Sequence, residues 1–279
     1  MKQFVSRNGF TLIELVIVIV LVGIIAAVVS PIISNQFSAY TDSSRRATLV
    51  QEAQTIMQRL EQDIYQAVPN SIGDIEDNAF ALLALSRPSF DAASALPAGR
   101  YSDDFNPSQP VTPGNPLEVM GCLIDPGDDP NSDPHHVVLF PADSGSALAA
   151  WPPGSTNTGS VSRAIDDIDD PCTAGELSTI NLPNPHRFDP GGDGSLFNRL
   201  YLTQGRVDWT CDPAAATLTR SQSFGSSGDR LVSSALDSCA FEFIPGSTYS
   251  APSLLVDITV SRDGERVRLA RVFQLVNAP

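Results

Sequence analysis

Residues 10 to 29 form a run of 20 in which only Thr11 and Glu14 are polar. As a helix such a run is roughly 30 Å long, about the thickness of a bilayer core. Lys2 and Arg7 precede it, and the next basic residues, Arg45 and Arg46, lie well beyond it. Positive charge is retained on the cytoplasmic side, so the N-terminus is expected to stay in the cytoplasm. Glu14 is the odd residue. A carboxylate at the centre of a span costs about 2.5–3.5 kcal/mol on insertion scales and less near the interface, so it needs either a cation or a route to water. Snorkelling to the interface is the plain explanation.

Three readings fit a basic start followed by an apolar run. A cleaved secretory signal has a shorter apolar core and a small-residue site, for which only the surroundings of Ala26 and Ala27 qualify. A simple signal anchor fits the length but gives no reason for Glu14 or for the Gly9–Phe10 junction. The third reading rests on the string Gly9-Phe10-Thr11-Leu12-Ile13-Glu14. It resembles the processing signature of type IV prepilins and type II secretion pseudopilins. The resemblance implies a leader of residues 1–9, cleavage after Gly9 by a prepilin peptidase, N-methylation of Phe10, and a contact between Glu14 and the new N-terminal amine of a neighbouring subunit. It also implies a single-pass inner-membrane protein with a periplasmic head that later enters a filament.

The chain of 279 residues has a formal charge of −15. Without Lys2 and Arg7 the remaining side chains are 15 basic and 32 acidic, a balance of −17 with no lysine at all. Nucleic-acid partners, which need a basic footprint, are excluded on this ground, as is electrostatic docking on anionic lipid. Solubility is the plain reason for the acidity.

Cys122, Cys172, Cys211 and Cys239 lack the close spacing of metal or redox motifs, and His135, His136 and His186 add no ligand pattern. An even cysteine count outside the cytoplasm favours disulfides, expected as Cys211–Cys239 and Cys122–Cys172; each would contribute about 3–4 kcal/mol in the chain-entropy model. Buried free thiols are the alternative. Asp125, Asp128, Asp129 and Asp133, then Asp166, Asp167, Asp169 and Asp170, then Asp189 and Asp193 beside Gly191-Gly192, make acidic loops. Solvated turns explain them, and a structural calcium site is the alternative, although none has the spacing of a known calcium loop. No other cofactor is expected. Asp143-Ser144-Gly145 is a turn tripeptide rather than a nucleophile site, no P-loop is present, and no carboxylate pair stands out. The chain reads as a non-enzyme.

Beyond the membrane the helix is expected to continue to about Ala67, with Pro31 as a kink. Leu49, Ala53, Ile56, Leu60, Ile64 and Ala67 recur every three or four residues, the stripe of a helix packed on one side. Pro69-Asn70 ends it. From Phe10 this helix would measure roughly 87 Å. Residues 69 to about 195 are rich in Pro, Gly, Asp and Ser; Ala79–Leu85 reads as a brief helix or strand, 117–124 and 137–140 as strands, and 151–159 as loop. After Leu196 strands are expected at 199–203, 206–210, 217–222, 240–244, 254–262 and 265–276. Asp263-Gly264 is a hairpin turn, with Gln204-Gly205 and 212–216 as further turns.

The predicted fold is therefore α+β: a long N-terminal helix, transmembrane over 10–30 and amphipathic over 31–68, packed on an antiparallel β-sheet head of residues 69–279 with long loops. This agrees with the pilin-like fold that the resemblance implies. Further strings narrow the likeness. Arg59-Leu60-Glu61-Gln62-Asp63-Ile64 running into Pro69-Asn70-Ser71-Ile72, then Arg199-Leu200-Tyr201-Leu202 to Cys211 with Leu218-Thr219-Arg220, and the ending Phe273 to Pro279 are similar to MSHA-type minor pilins of Gram-negative bacteria. That resemblance implies a tip-associated subunit for pilus initiation or assembly, working with other minor and major pilins and an inner-membrane assembly platform. A J-type minor pseudopilin, or a pilus-displayed adhesin head with Trp151 and Trp209 on a binding surface, are the competing roles.

Overall fold

The computed structural model describes residues 11–86, 98–123, 135–139, 148, 151, 161–169, 177–188, 198–223, 229–246 and 250–275. Helix α1 spans Leu12–Tyr65 without interruption, passing through Pro31. Its rise gives a rod of roughly 80 Å. Gln66 caps its C-terminal end: its N–H donates to the Gln62 carbonyl at 3.1 Å, and the Ala67 N–H donates to the Ile64 carbonyl at 3.3 Å.

The chain then turns back on itself. Val68 N–H donates to the Leu83 carbonyl at 2.8 Å, and Leu85 N–H to the Gln66 carbonyl at 2.8 Å, so the helix exit is stitched to the strand that follows. Strands β1 (Gly73–Glu76) and β2 (Ala79–Leu85) form a first hairpin. Short strands β3 (Ala98–Tyr101), β4 (Leu117–Met120), β5 (His136–Leu139), β6 (Val161–Ala164), β7 (Asp167–Asp169) and β8 (Ser178–Asn181) occupy the middle of the chain. They gather around the long β9 (Arg199–Asp212), which β10 (Thr217–Gln222) and β11 (Arg230–Ser233) extend. The resulting sheet has 11 strands, with the path β1-β2-β9-β3-β4-β8-β7. A second sheet of three strands, β12 (Leu236–Ile244), β13 (Ser253–Arg262) and β14 (Glu265–Gln274), is antiparallel throughout. One long helix on antiparallel sheets is the α+β, pilin-like architecture anticipated from the pattern.

Asp263 and Gly264 adopt φ of 53° and 87°, the paired positive values that a tight two-residue hairpin between β13 and β14 requires. At 212–216 the carboxylate of Asp212 accepts the N–H groups of Ala214 and Ala215, closing the β9–β10 hairpin. The expectation of a turn at Gln204-Gly205 is wrong: β9 runs straight through it. Register on β2 passes from Ala84 opposite Gly205 to Leu85 opposite Thr203, leaving Gln204 as the extra residue of a β-bulge. Gly205 takes φ of 112°, and the Thr203 hydroxyl accepts its N–H while donating to the Ala84 carbonyl. The bulge shifts the apolar alternation by one. Leu200 and Leu202 are buried before it, Val207, Trp209 and Cys211 after it.

Two principal cores result. The first lies beneath the helix and joins Leu49, Ile56, Leu60 and Ile64 of α1 to Trp209, Phe241, Val256, Ile258 and Phe273. The second, at the far end, gathers Phe105, Leu117, Val119, Ile180, Phe188, Leu200 and Leu202. Phe140, Ile124, 152–159 and Val276, included in the expected strands and loop, lie outside the described residues.

Candidate functional site: the N-terminal helix and its seat on the head

The start of α1 explains the string Thr11-Leu12-Ile13-Glu14 locally. Thr11 is the N-cap, extended at φ −79°, and its hydroxyl accepts the Glu14 N–H at 3.3 Å. The hydroxyl in turn donates to Glu14 Oε2 at 3.4 Å. A Thr followed three residues later by Glu is the capping-box spacing, and a carboxylate in the first turn also meets the positive end of the helix dipole. Glu14 is thus held, exposed, in the first turn of the helix. Gly9 and Phe10 lie outside the described residues.

From Leu12 to Ser30 the helix is apolar enough to cross a membrane, and none of that window is buried inside the protein. Leu15, Ile19, Val22 and Ile25 are all more than half exposed. Exposure on this scale needs a non-aqueous environment, because a soluble chain hides such surface. The first α1 side chain to touch the head core is Leu49, which is 1% exposed. Ahead of it Arg45 Nε already lies 4.0 Å from Asp263 of the β13–β14 hairpin, whereas from Leu12 to Tyr40, roughly 43 Å of helix, every described side chain is exposed.

Beyond Leu49 the helix is clamped to the head. Asp63 is buried and accepts Trp209 Nε1 at 3.0 Å, Arg220 Nε at 2.6 Å and Arg220 Nη2 at 3.2 Å. Glu52 accepts the Ser233 hydroxyl at 2.7 Å and faces Arg262 at 3.5 Å. Glu61 and Arg271 form a two-bond pair at 2.7 and 2.6 Å. Apolar stripe and carboxylates together fix rotation and height of the helix on the head.

The family comparison bears on the free end. The prokaryotic N-terminal methylation motif matches residues 5–30. Motif and exposed apolar helix together support a type IV pilin-like protein. The motif implies processing by a prepilin peptidase, association with pilins, a single-pass membrane anchor and a structural rather than enzymatic role. No curated protein and no solved structure matches the chain.

Other expected residues fall as follows. Cys211 and Cys239 form a disulfide, tying β9 to β12. Cys122 is disulfide-bonded as well, and Cys172 lies outside the described residues. Trp209 is fully buried and belongs to the helix clamp, not to a binding surface. Trp151 packs edge-on against His136 at 4.8 Å and donates Nε1 to the Ser223 hydroxyl. Of the acidic loops, Asp167 and Asp169 share the amide of Asn181, at 3.1 and 2.8 Å. Asp125, Asp128, Asp129, Asp133, Asp143, Asp170, Asp189 and Asp193 are outside the described residues. Among the described residues no group of three or more potential ligands could hold a metal.

The buried histidines were not singled out by sequence. His135 is 2% exposed, and burial, reinforced by the neighbouring His136, lowers its pKa from the usual 6.5 to about 4. It sits directly before β5, in the far half of the head. On the near sheet, hydrogen bonding from Arg268 holds the Asp257 carboxyl below its ordinary range. The clamp residue Asp63 was also missed: it falls inside a run of charged helix positions, and only the long-range partners Trp209 and Arg220 distinguish it.

Proposed function

We propose that the protein is a minor pilin of the MSHA type, similar to MSHA biogenesis protein MshO, which takes part in pilus initiation or assembly and sits near the tip. The observation that carries this reading is the methylation motif on a freely exposed apolar helix that bears an unusually large head. Beyond Ala67 the chain has 212 residues. Many heads of that bulk around a thin helical core would crowd one another, whereas a terminal position would not.

In this reading residues 1–9 leave with cleavage at Gly9–Phe10, and Phe10 becomes the methylated N-terminus. Residues 10–30 span the inner membrane with the N-terminus cytoplasmic, 31–68 continue the helix outward, and 69–279 form the periplasmic head. Glu14 passes from capping its own helix to meeting the N-terminal amine of a neighbouring pilin, a partner that offsets the carboxylate's cost in a low-dielectric layer. Prepilin peptidase, other minor and major pilins and the assembly platform are the partners.

The experiment has two parts. Deleting the gene should sharply reduce surface pili; normal pilus numbers with impaired secretion of exoproteins would transfer the reading to a J-type pseudopilin, and normal numbers with lost adhesion to a displayed adhesin. Glu14→Ala should leave cleavage at Gly9 largely intact while weakening incorporation, and Gly9→Val, which blocks cleavage, should abolish it. Normal incorporation of the Glu14 variant would leave snorkelling as the account of that carboxylate.

A further inference from the structure

Two stretches of the far half of the head lie side by side without zipping together. Residues 111–116 lead into β4 and residues 181–185 follow β8, and the two are joined at both ends. At one end Leu117 pairs with Ile180 in the sheet; at the other the Val111 N–H donates to the His186 carbonyl at 2.9 Å. Between these points stand Pro113, Pro116, Pro183 and Pro185, which have no N–H to give to a ladder. A cleft of about 420 Å³ results, lined by Pro113, Pro116, Thr179, Asn181, Leu182 and Pro185. That size is in the range of ligand sites. One wall is pre-formed by Asn115, which is buried. Its side chain accepts the Asn106 N–H at 2.9 Å and donates to the carbonyls of Asn106, Gln109 and Pro110 at 2.9, 3.3 and 3.3 Å. Thr112 and Asn115 also exchange backbone hydrogen bonds. An occupant therefore meets an ordered wall, and the entropy of fixing a loop is not lost on binding.

Lining and rim together define what fits. The walls are mostly apolar and faced with proline rings. Proline and aromatic rings pack on one another wherever proline-rich segments dock in aromatic grooves, and here the prolines are on the receiving side. The rim is acidic. Asn181 donates its amide to Asp167 at 3.1 Å and to Asp169 at 2.8 Å, and its carbonyl accepts the Asp166 N–H at 2.9 Å. All three aspartates are exposed, and no ion pair joins them to another described side chain. An apolar slot beside carboxylates that lack a cation suits an aromatic side chain with a basic neighbour. A second copy of this chain does not fit, because its own residues 86–198 hold 16 acids against four bases and like charges would face one another.

We propose that this cleft is a docking site for a different protein, which inserts an aromatic side chain between the prolines and sets a neighbouring arginine or lysine against Asp167 and Asp169. Val111 and Leu182 pack on the far core, to which α1 contributes no side chain. The docking site thus requires neither the anchor nor the pilus reading, and the two fail separately.

The test titrates the full-length chain, in dodecyl maltoside micelles at low salt, with the fluorescein-labelled peptide Gly-Ser-Trp-Arg-Ser-Arg-Gly and reads fluorescence anisotropy. Saturable binding is expected. It should weaken about tenfold when alanine replaces the tryptophan of the peptide, and vanish when aspartates replace its arginines. Asp167→Asn combined with Asp169→Asn should weaken binding about fivefold, the loss of two exposed ion pairs. Thr112→Trp, which fills the cleft from an exposed lining position, should abolish binding without moving thermal unfolding. No saturable binding, equal binding of the acidic peptide, or full binding by either variant overturns the proposal. If Thr112→Trp unfolds the head, the aspartate pair still decides. Self-association of the unaltered chain in sedimentation, lost in Thr112→Trp, would assign the cleft to a second copy and overturn the proposal too.

Discussion

The core beneath the helix and the core at the far end of the head share strand β9, yet they are built on different scales. Near the helix, β12, β13 and β14 are 9, 10 and 10 residues long, and the central β13 alternates regularly between buried and half-buried positions. At the far end β3, β4, β5 and β8 have four residues each and β7 three. Long paired strands leave little for the side chains to arrange, whereas short ones depend on what they enclose. There the aromatic rings of Tyr101, Phe105 and Phe188 meet edge to face, at 5.6 and 6.4 Å. Charge divides in the same way: residues 86–198 hold 16 acidic and four basic side chains, half of all the acids in the chain. The near core is specialised to seat a helix. The far one belongs to the stretch of chain that holds half of the acids.

The comparison breaks most visibly if a lesion in one core spreads to the other. Asp63→Ala leaves the Arg220 guanidinium and the Trp209 N–H without their carboxylate, and stranding a buried charge costs about 3–5 kcal/mol. Phe188→Ala empties a fully buried ring site at a cost of about 3–5 kcal/mol. Hydrogen exchange on the full chain in detergent should localise them: Asp63→Ala should lower protection in β10 and the last turns of α1, and Phe188→Ala in β4 and β8. If Phe188→Ala depresses β13 and β14 as strongly as β4, the head is one cooperative unit and the division into two cores has no energetic meaning.

The same division governs what the sequence revealed. Helix α1 was legible because the period from Leu49 to Ala67 is regular, and the β13–β14 hairpin because Asp263-Gly264 permits only a tight turn between alternating strands. Strands β1, β3, β6, β7, β8 and β11 went unrecognised. Three or four residues are too few to establish a period, and Gly, Ser and Asp within them read as turn. The bulge at Gln204-Gly205 looked like a turn for a physical reason, since both need a positive φ at glycine. The change of apolar phase from Leu200 and Leu202 to Val207 and Trp209 is the signal that separates them. At the functional end, Glu14 was identified by its isolation in an apolar run, but its bond to Thr11 depends on where the helix begins. The partners of Asp63 lie more than 140 residues away, and no local pattern encodes such a contact.

Acid should separate the cores as well. His135 keeps a pKa near 4 in the folded head against about 6.5 unfolded, so the unfolded chain binds its proton first as pH falls. The stability this histidine confers is complete above pH 6.5 and is lost on descending to about 4, a change of up to ~3 kcal/mol. Asp257, held low by Arg268, acts in the same sense but in a lower window, its contribution intact above the ordinary carboxylate range and lost only as pH falls below it. Between pH 6.5 and 4 the far half should therefore soften first, read as falling protection in β5 with β13 unchanged. His135→Phe should flatten the β5 profile; an unaltered profile in that variant would remove His135 as the cause.

The smallest effect concerns the surface of the helix seat. Glu61 and Arg271 form a geometrically good pair, but their side chains remain 27% and 46% exposed. Water screens such pairs, so the coupling in a double-mutant cycle with Glu61→Gln and Arg271→Gln should be about 0.2–1 kcal/mol and should shrink with added salt. Arg271→Gln alone should cost more than Glu61→Gln, because the guanidinium also lies over the Phe273 ring at 5.0 Å. A coupling as large as the loss in Asp63→Ala would mean that the exposed pair, rather than the buried carboxylate, holds the helix in place. The contrast between a buried clamp and a solvated one would then fail within the near core itself.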